Sequence, residues 1–401
     1  MMKKSKTGAI ALGVAFVWFT THFGGGFASG AQIYSYFLRY GAWCILMPLL
    51  AMAYNGVFFA YSLRFARKHQ TYDYRSYNDA FYGRFAPIFS NLFELLYLCV
   101  MCVAPAVAFA TGGATLSQLT GLPYLLCTLL IGVFIFVVAI FGTDLVRRVA
   151  SVLSICIIVG LLIVYIPNIA VNFSEIGNAI QQMGTENLCI GPALYSAFIY
   201  GTFQLSNIAV FVQHAKSFDQ PGEAVKSMAV GVVVNTLMMV MVVLGLMTIY
   251  TNPDAASQSV PTLFMVENGV GASFMTPLIS LLIILGAVST AVNMVAAMVQ
   301  RVCGERPALP AGEKKPCFRF SKKEVITALI CCMVDFGIAQ FGLLNLIQKA
   351  YSGIAYLAIP VILIPYIIHM IVTRFDTKSP VGNAKVSMKG IKPMAAEQKL
   401  K

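Results

Sequence analysis

Ten apolar segments, each about the length needed to cross a bilayer, constrain the fold of this 401-residue chain. A spanning helix needs about 20 mostly apolar residues. The segments are residues 8–38, 43–65, 88–116, 124–141, 149–171, 191–213, 225–250, 275–302, 325–343 and 352–373. Charged residues make up only 11% of the chain, against about 25% in soluble domains. The sequence therefore predicts an all-α polytopic membrane protein with ten transmembrane helices, and excludes a soluble enzyme or a nucleic-acid-binding domain.

The positions of the Lys and Arg residues predict the orientation of these helices. With the N-terminus inside, all but two of the 28 Lys and Arg residues fall on the inner side, the exceptions being Arg39 and Lys349. Cytoplasmic loops of membrane proteins carry an excess of Lys and Arg. The net charge of +12 therefore reflects orientation, and both termini and the loop of residues 301–323 are predicted to be cytoplasmic.

An acidic outer loop divides the ten segments into two halves of five. We expect a cytoplasmic tail at residues 1–7, a first five-helix repeat at 8–171, an external linker at 172–190, a second five-helix repeat at 191–373 and a Lys-rich cytoplasmic tail at 374–401. Because each half has an odd number of helices, the second half enters the membrane from the opposite side. Any structural repeat must therefore be inverted.

The first segment of each half carries an interruption. Residues 24–30 read Gly-Gly-Gly-Phe-Ala-Ser-Gly, and residues 200–207 read Tyr-Gly-Thr-Phe-Gln-Leu-Ser-Asn. Each glycine costs a helix about 1 kcal/mol relative to alanine. Such glycines can serve close helix packing, which is one interpretation of the first cluster. Paired breaks at corresponding positions of two halves instead indicate the central site of a transporter, where unwound backbone offers free N–H and C=O groups.

Few other polar groups lie within the apolar segments. Ser289 and Thr290 are adjacent hydroxyls that either bond to the carbonyl four residues earlier or bind a hard cation such as sodium. Ionisable residues in a membrane are functional candidates by default, and here they are His22, Glu94, Asp335 and His369. His22 adjoins the glycine break, where it either carries a coupling proton or caps a freed carbonyl. We expect Glu94 to pair with an arginine of the preceding loop (Arg64, Arg67 or Arg84).

Motifs of catalysis and nucleotide binding are missing from the sequence. The chain has no P-loop, no H-E-x-x-H and no G-x-S-x-G motif. We therefore expect neither an enzyme nor an ATP-driven pump.

These features resemble the amino acid–polyamine–organocation (APC) superfamily, whose members share the five-plus-five inverted repeat of the leucine transporter (LeuT). Within it, the chain is most similar to the YkvI-type family of bacterial membrane proteins. Residues 24–32 resemble that family's G-x-G-F-A-S-G-Q pattern in the first helix. Residues 340–343, followed by Tyr351 and Tyr356, resemble its ninth and tenth helices. The similarity covers residues 8–373 and implies a LeuT-like fold with broken first and sixth helices.

The resemblance also implies roles for individual residues. The implied substrate site comprises Gly24, Gly25, Gly26, Ser29, Tyr200, Gly201, Thr202 and Gln204. The implied sodium site comprises the carbonyls of Thr20, Phe23 and Gly286 with the hydroxyls of Ser289 and Thr290. The sixth-helix glycine falls one position earlier than in the superfamily pattern. Some proton-coupled relatives have a fifth-helix lysine at the sodium position, and residues 149–171 contain none.

We therefore expect a secondary active transporter of the bacterial cytoplasmic (inner) membrane. It would carry a small amino acid or related zwitterionic solute by alternating access, with Na⁺ as the coupling ion and no other cofactor. The implied partners are the solute and the lipid bilayer, without nucleic acid. Two alternatives stay open: proton-coupled transport with His22 as the coupling residue, and a membrane sensor that keeps the fold without transport.

Overall fold

A computed structural model describes residues 2–141, 143–186, 189–304 and 321–377. All regular elements in these ranges are helices. Most of the cytoplasmic loop of residues 301–323 and of the tail of residues 374–401 lies outside the described residues, as do the side chains of residues 2–9 and 143–151. The cytoplasmic orientation of these parts stays a prediction.

The first half of the chain begins with three helices separated by two short breaks. They are α1 (Met2–His22), α2 (Gly25–Ala28) and α3 (Ala31–Tyr36), followed by a 3₁₀ segment, Leu38–Ile45. The remaining helices are α4 (Met47–His69), α5 (Tyr74–Tyr82), α6 (Ala86–Thr120), α7 (Tyr124–Phe141) and α8 (Thr143–Val171), with a 3₁₀ turn at Gly83–Phe85. The expected external linker of residues 172–190 is itself mostly helical, as α9 (Phe173–Glu186).

The second half begins with α10 (Ile190–Gln204), which passes through a 3₁₀ turn, Leu205–Asn207, into α11 (Ile208–Phe211) and a second 3₁₀ segment, Val212–Ser217. Next are α12 (Glu223–Met247), a 3₁₀ turn at Ala255–Ser257, α13 (Pro261–Glu267), α14 (Ala272–Cys303) and α15 (Lys322–Ala339). The last helical stretch comprises α16 (Leu343–Asn345), α17 (Tyr351–Ala358) and α18 (Ile364–Val372), joined by π-helical turns at Leu346–Ala350 and Ile359–Leu363.

Capping residues set several of these helix ends. Gly121 follows α6 in the left-handed conformation, with φ of 72°, and its N–H donates to the Ser117 carbonyl at 2.8 Å. Glycine adopts this conformation without steric cost, which is why it commonly ends helices. At the start of α15, the Ser321 hydroxyl accepts from the Glu324 N–H and the Glu324 carboxylate accepts from the Ser321 N–H, each at 3.1 Å. This capping box fixes where α15 begins.

Not every helix meets the length and composition expected of a membrane span. Five stretches of the described residues do so: Tyr74–Thr120, Tyr124–Phe141, Glu223–Met247, Ala272–Cys303 and Leu343–Val372. Two bent helix pairs would bring the number to seven. The first expected span is not among them because the described side chains of α1 begin at Ile10, the sixth because α10 ends at Gln204, and the ninth because α15 carries four charged residues. The ten-helix, five-plus-five arrangement therefore stays a prediction.

The core brings the two halves together around the first break. α6 packs against α14, α1 packs against α12, and the short α2 lies against both α6 and α14. Glycines permit the close approach of α1 to α12: a Cβ on Gly231 would lie 2.3 Å from Cε3 of Trp18. Small residues at helix interfaces are the usual means of close packing in membranes. The break of the first segment is thereby surrounded by protein rather than by lipid.

Candidate functional site

The backbone of the first segment leaves the helical hydrogen-bond pattern at Gly24. The last regular bond runs from Phe23 N–H to Phe19 O at 2.8 Å. The next bonds run from the N–H groups of Phe27 and Ala28, both to the carbonyl of Gly24, at 3.0 and 3.1 Å. The carbonyl of Thr20 receives no backbone donor among the described residues. Unbonded backbone at membrane depth is tolerated where it lines a cavity, and such a cavity is present here.

A second break follows at Gly30, which has φ of 80°. A Cβ at this position would lie 2.6 Å from Oγ1 of Thr262. Glycine is therefore required for both conformation and space. The same junction is tied to α13, since Thr262 N–H donates to the Ser29 carbonyl at 3.0 Å.

The sixth segment differs from the expected break. It stays α-helical through Gln204 and then tightens into the 3₁₀ turn Leu205–Asn207. Asn207 Nδ2 donates to Gln204 Oε1 at 2.6 Å across this turn. The irregular turn thus begins at Leu205, five residues after Tyr200 and still within the predicted interruption of residues 200–207, and the backbone tightens rather than unwinds.

A cavity of about 110 Å³ lies between these two irregular segments. Its walls come from the first, third, sixth, eighth and tenth expected spans. The lining residues are Thr21, His22, Gly24, Gly26, Gln32, Val100, Ala104, Val107, Ala108, Phe203, Gln204, Ser206, Asn207, Thr290, Met294, Tyr351 and Ile354. We call this the central cavity. Its lining contains no Asp, Glu, Lys or Arg.

The structure brings only part of the expected substrate site to the central cavity. Gly24, Gly26 and Gln204 line it. The cavity is tight at Gly26, where a Cβ would lie 3.1 Å from Nε2 of Gln32. Gly25 lies in α2 between the two lining glycines.

Four other expected substrate residues do not line the cavity: Ser29, Tyr200, Gly201 and Thr202. The Ser29 hydroxyl donates to the Gly26 carbonyl at 2.7 Å. The Thr202 hydroxyl donates to the Phe198 carbonyl at 2.7 Å, and a Cβ on Gly201 would lie 2.5 Å from Cδ1 of Tyr54. Ser29 and Thr202 therefore bond to carbonyls of their own segments, and Gly201 allows α10 to pack closely on α4.

His22 links three helices at the edge of the central cavity. Its Nε2 lies 2.5 Å from the Tyr200 hydroxyl, and its Nδ1 lies 2.9 Å from Oδ1 of Asn235. Asn235 Nδ2 donates to the Gly231 carbonyl at 2.8 Å, so its Oδ1 is the atom left to accept from His22. In the neutral ring Nδ1 therefore carries the hydrogen, and Nε2 accepts from Tyr200. All three side chains are buried.

Of the expected sodium ligands, Thr290 and Gly286 are bonded to each other, so one hydroxyl is already engaged. Thr290 Oγ1 donates to the Gly286 carbonyl at 3.0 Å, the bond common for threonine in membrane helices. Gly24 lies close to this hydroxyl, since a Cβ there would be 3.2 Å from Thr290 Oγ1. The hydroxyl of Ser289 bonds to none of the described residues. Within the described ranges, no group of three or more His, Cys, Asp or Glu side chains forms a metal site.

Sequence reasoning missed several polar and aromatic residues of the central cavity. Gln32 and Asn207 both line it, and Oε1 of Gln32 has no hydrogen-bond partner among the described atoms. Phe203 stacks on Tyr351 with ring centroids 4.7 Å apart and forms one wall. A signal was available for the two amides, because each lies within an apolar segment close to an irregular turn. None was available for the Phe203–Tyr351 contact, which joins residues far apart in sequence.

Comparisons with known proteins identify the fold. No family model matches the sequence, and no curated protein matches it either. The chain is similar in structure to a manganese transporter of Eremococcus coleocola bound to an aromatic bis-isothiourea compound, with a TM-score of 0.56 and 14% identity. The match covers 96% of this chain and 83% of that one. Two single-residue variants of that transporter match with TM-scores of 0.48 and 0.47 at 16% identity, covering 90% of this chain and 77% of theirs.

The first of these similarities establishes the fold and nothing finer, because the identity is low. The prediction of a transporter fold is confirmed in this coarse form. Assignment to the APC superfamily or to the YkvI-type family stays a prediction. Together with the apolar helices, the match shows that the chain is a multi-pass membrane protein with the fold of a membrane transporter.

Proposed function

We propose that the chain is a secondary active transporter that binds a small zwitterionic solute, such as a small amino acid, in the central cavity. The observation that carries the proposal is the combination of irregular backbone and uncharged polar side chains around one buried space. Alternating access in transporters works around a site of this kind near the middle of the membrane.

The chemistry of the lining favours a solute without net charge. A carboxylate can accept from backbone N–H groups at Gly24 and Gly26, which the irregular backbone leaves available. An ammonium group can donate to the oxygens of Gln204 and Thr290. Since no acidic or basic side chain other than His22 lines the cavity, a solute with net charge would lack a counter-ion. The volume of about 110 Å³ limits the solute to a small one.

A manganese substrate is less compatible with this cavity, although the structural neighbour is named a manganese transporter. Hard divalent cations are bound mainly by carboxylates, carbonyls and water. The lining has no carboxylate, and no cluster of metal-binding side chains occurs among the described residues.

Two coupling ions have support in the surroundings of the cavity. Sodium is favoured by the nearness of Gly24 to Thr290 and by the unbonded carbonyl of Thr20. Proton coupling, the second candidate, is favoured by the bonds of His22 to Tyr200 and Asn235, which a change in ring protonation would rearrange. A sensor would use the same cavity for binding alone.

Counterflow in proteoliposomes tests the proposal. Vesicles loaded with unlabelled glycine, alanine or serine are diluted into the radiolabelled solute, in sodium or in choline buffer. Protein-dependent accumulation of label is expected, and it should fall strongly in Gln204→Ala. Binding of these solutes without exchange would instead identify a sensor. Exchange of manganese but of no amino acid would overturn the proposed substrate class.

A further inference from the structure

A second cavity, which has no role in the proposed function, is lined by residues of α6 that do not line the central cavity. We call it the lateral cleft. It lies between α6, α14 and α15, has a volume of about 310 Å³, and is lined by Met101, Cys102, Val295, Met298, Val302, Thr327, Ile330, Cys331, Val334 and Asp335. Volumes of about 300 Å³ and above are typical of pockets for small ligands, whose walls are mostly apolar with a few polar groups. The lateral cleft has both properties.

Asp335 is the one charged residue in this lining. Its side chain is 3% exposed, and its Oδ2 atom has no hydrogen-bond partner among the described residues. The other titratable groups in the lining are the thiols of Cys102 and Cys331, and no Lys, Arg or His contributes to it. A buried carboxylate without a partner is costly. The cleft therefore complements a positive charge.

The lining of the cleft reaches the apolar outer surface of the helices. Two of its residues, Val302 and Ile330, are 51% and 56% exposed. At the end of the cleft near Arg301, Lys323 Nζ donates to the Val302 carbonyl at 3.3 Å. Asp335 lies thirteen residues after Lys322, or about 20 Å along the helix axis. A lipid headgroup level with Lys322 would therefore not reach Asp335.

We propose that the lateral cleft binds a small amphipathic amine, with its ammonium group on Asp335 and its apolar chain between α14 and α15. The ammonium has three hydrogens to donate, and the carboxylate accepts at both oxygens. A further acceptor is the Met101 carbonyl, because Pro105 lacks the N–H that would bond to it within α6. The apolar chain reaches the cleft from the lipid phase. The site is separate from the central cavity and does not depend on the proposed function.

Decylamine and the uncharged 1-decanol serve as matched probes on the full chain in lipid nanodiscs. Asp335→Asn removes the charge at nearly constant volume, and Glu223→Gln is the control, since Glu223 is a buried carboxylate that accepts from Asp219 N–H elsewhere in the fold. Loss of a desolvated charge pair should weaken decylamine binding by about tenfold or more in Asp335→Asn. Glu223→Gln should bind decylamine like the wild type, and 1-decanol should bind weakly to all three proteins.

A second measurement uses only the wild type, in case Asp335→Asn fails to fold. Dicyclohexylcarbodiimide modifies protonated carboxyl groups in apolar surroundings, and mass spectrometry locates the adduct. Decylamine should protect Asp335 and leave the modification of Glu223 unchanged, whereas 1-decanol should protect neither. Equal decylamine binding by the wild type and Asp335→Asn would overturn the proposal. So would modification of Asp335 that decylamine does not reduce, which would leave a proton site only.

Discussion

The imidazole of His22 and the phenol of Tyr200 are hydrogen-bonded at 2.5 Å, which joins the end of α1 directly to α10. Asn235 of α12 bonds to the other ring nitrogen at 2.9 Å. A single titratable ring thus connects the first, sixth and seventh expected spans beside the central cavity. Protonation would turn Nε2 from an acceptor into a donor, so the Tyr200 hydroxyl would have to find another acceptor. The state of this ring is therefore coupled to the contact between two helices of the proposed site.

Tyr200→Phe tests this coupling. The substitution leaves Nε2 of His22 buried without a partner, which should lower the free energy of unfolding by about 1–3 kcal/mol. Tyr36→Phe is the control, since Tyr36 is also buried and donates to the Ile347 carbonyl at 2.8 Å without contacting His22 through its hydroxyl. Thermal unfolding should show a lower stability than that of the wild type in both variants. Only Tyr200→Phe should change the pH profile of counterflow, and identical profiles in both would contradict a role of the ring in transport.

Gly26→Ala tests whether the glycine run serves binding or packing. The added Cβ would lie 3.1 Å from Gln32 Nε2 and 3.4 Å from Val107 Cγ1, so the Gln32 amide must shift within the cavity. We expect solute affinity to fall by about tenfold with little change in expression, because Gln32 can move. Gly13→Ala in α1 is the control, since its Cβ would meet nothing within 4 Å. If both variants transport like the wild type, the glycines serve helix packing alone.

Backbone features of the fold could be predicted from local sequence. The segment predicted at residues 124–141 coincides with α7, and the first helix stops at His22, next to the predicted glycine run. Both follow from neighbouring residues: Pro123 precedes α7, and consecutive glycines disfavour helix. In the sixth segment the irregular turn Leu205–Asn207 lies within the interruption predicted at residues 200–207, whereas Gly201 stays in regular helix and packs on Tyr54, a contact that the local pattern does not reveal.

Contacts between helices could not be predicted in the same way. Glu94 was expected to pair with Arg64, Arg67 or Arg84, and the structure pairs it with Arg301. In a membrane both the core face and the lipid face of a helix are apolar, so hydropathy does not specify which way a helix is rotated. The lining of the central cavity depends on that rotation. Gly24, Gly26 and Gln204 were predicted to belong to the site, whereas Gln32 and Asn207 were not, although each lies close to an irregular turn.

Paired removal of the hydroxyls of Ser289 and Thr290 tests sodium coupling. Replacing both residues by alanine should abolish sodium-dependent uptake and sodium-dependent thermal stabilisation, because the remaining carbonyls cannot replace the hydration shell of the ion. Thr290→Ser should have a mild effect, since it keeps the oxygen that bonds to Gly286. Thr128→Ala is the control, as it removes a similar bond, to the Tyr124 carbonyl at 2.8 Å, within α7. Wild-type protein that behaves alike in sodium and choline buffers would favour proton coupling through His22.

Arg301 joins the C-terminal end of α14 to α6 and α5. It pairs with Glu94 and donates to the Tyr74 hydroxyl, while that hydroxyl donates to Glu94 Oε2 at 2.6 Å. Arg301 and Glu94 are 31% and 22% exposed, so water screens their attraction only in part. Arg301→Met should therefore lower the free energy of unfolding by about 1–2 kcal/mol, through loss of charge-assisted hydrogen bonds.

The matched control for this prediction is Arg75→Met, which removes an exposed ion pair with Asp79 at 3.5 Å and an exposed hydrogen bond from Arg75 Nη1 to Asn91 Oδ1 at 2.9 Å. Exposed pairs of this kind contribute little, so its unfolding midpoint should equal that of the wild type within error. A double-mutant cycle of Arg301→Met with Glu94→Gln isolates the pair from other effects of each substitution. Additive losses in the cycle, or an equal loss in Arg75→Met, would show that the contact does not hold α6 and the C-terminal end of α14 together.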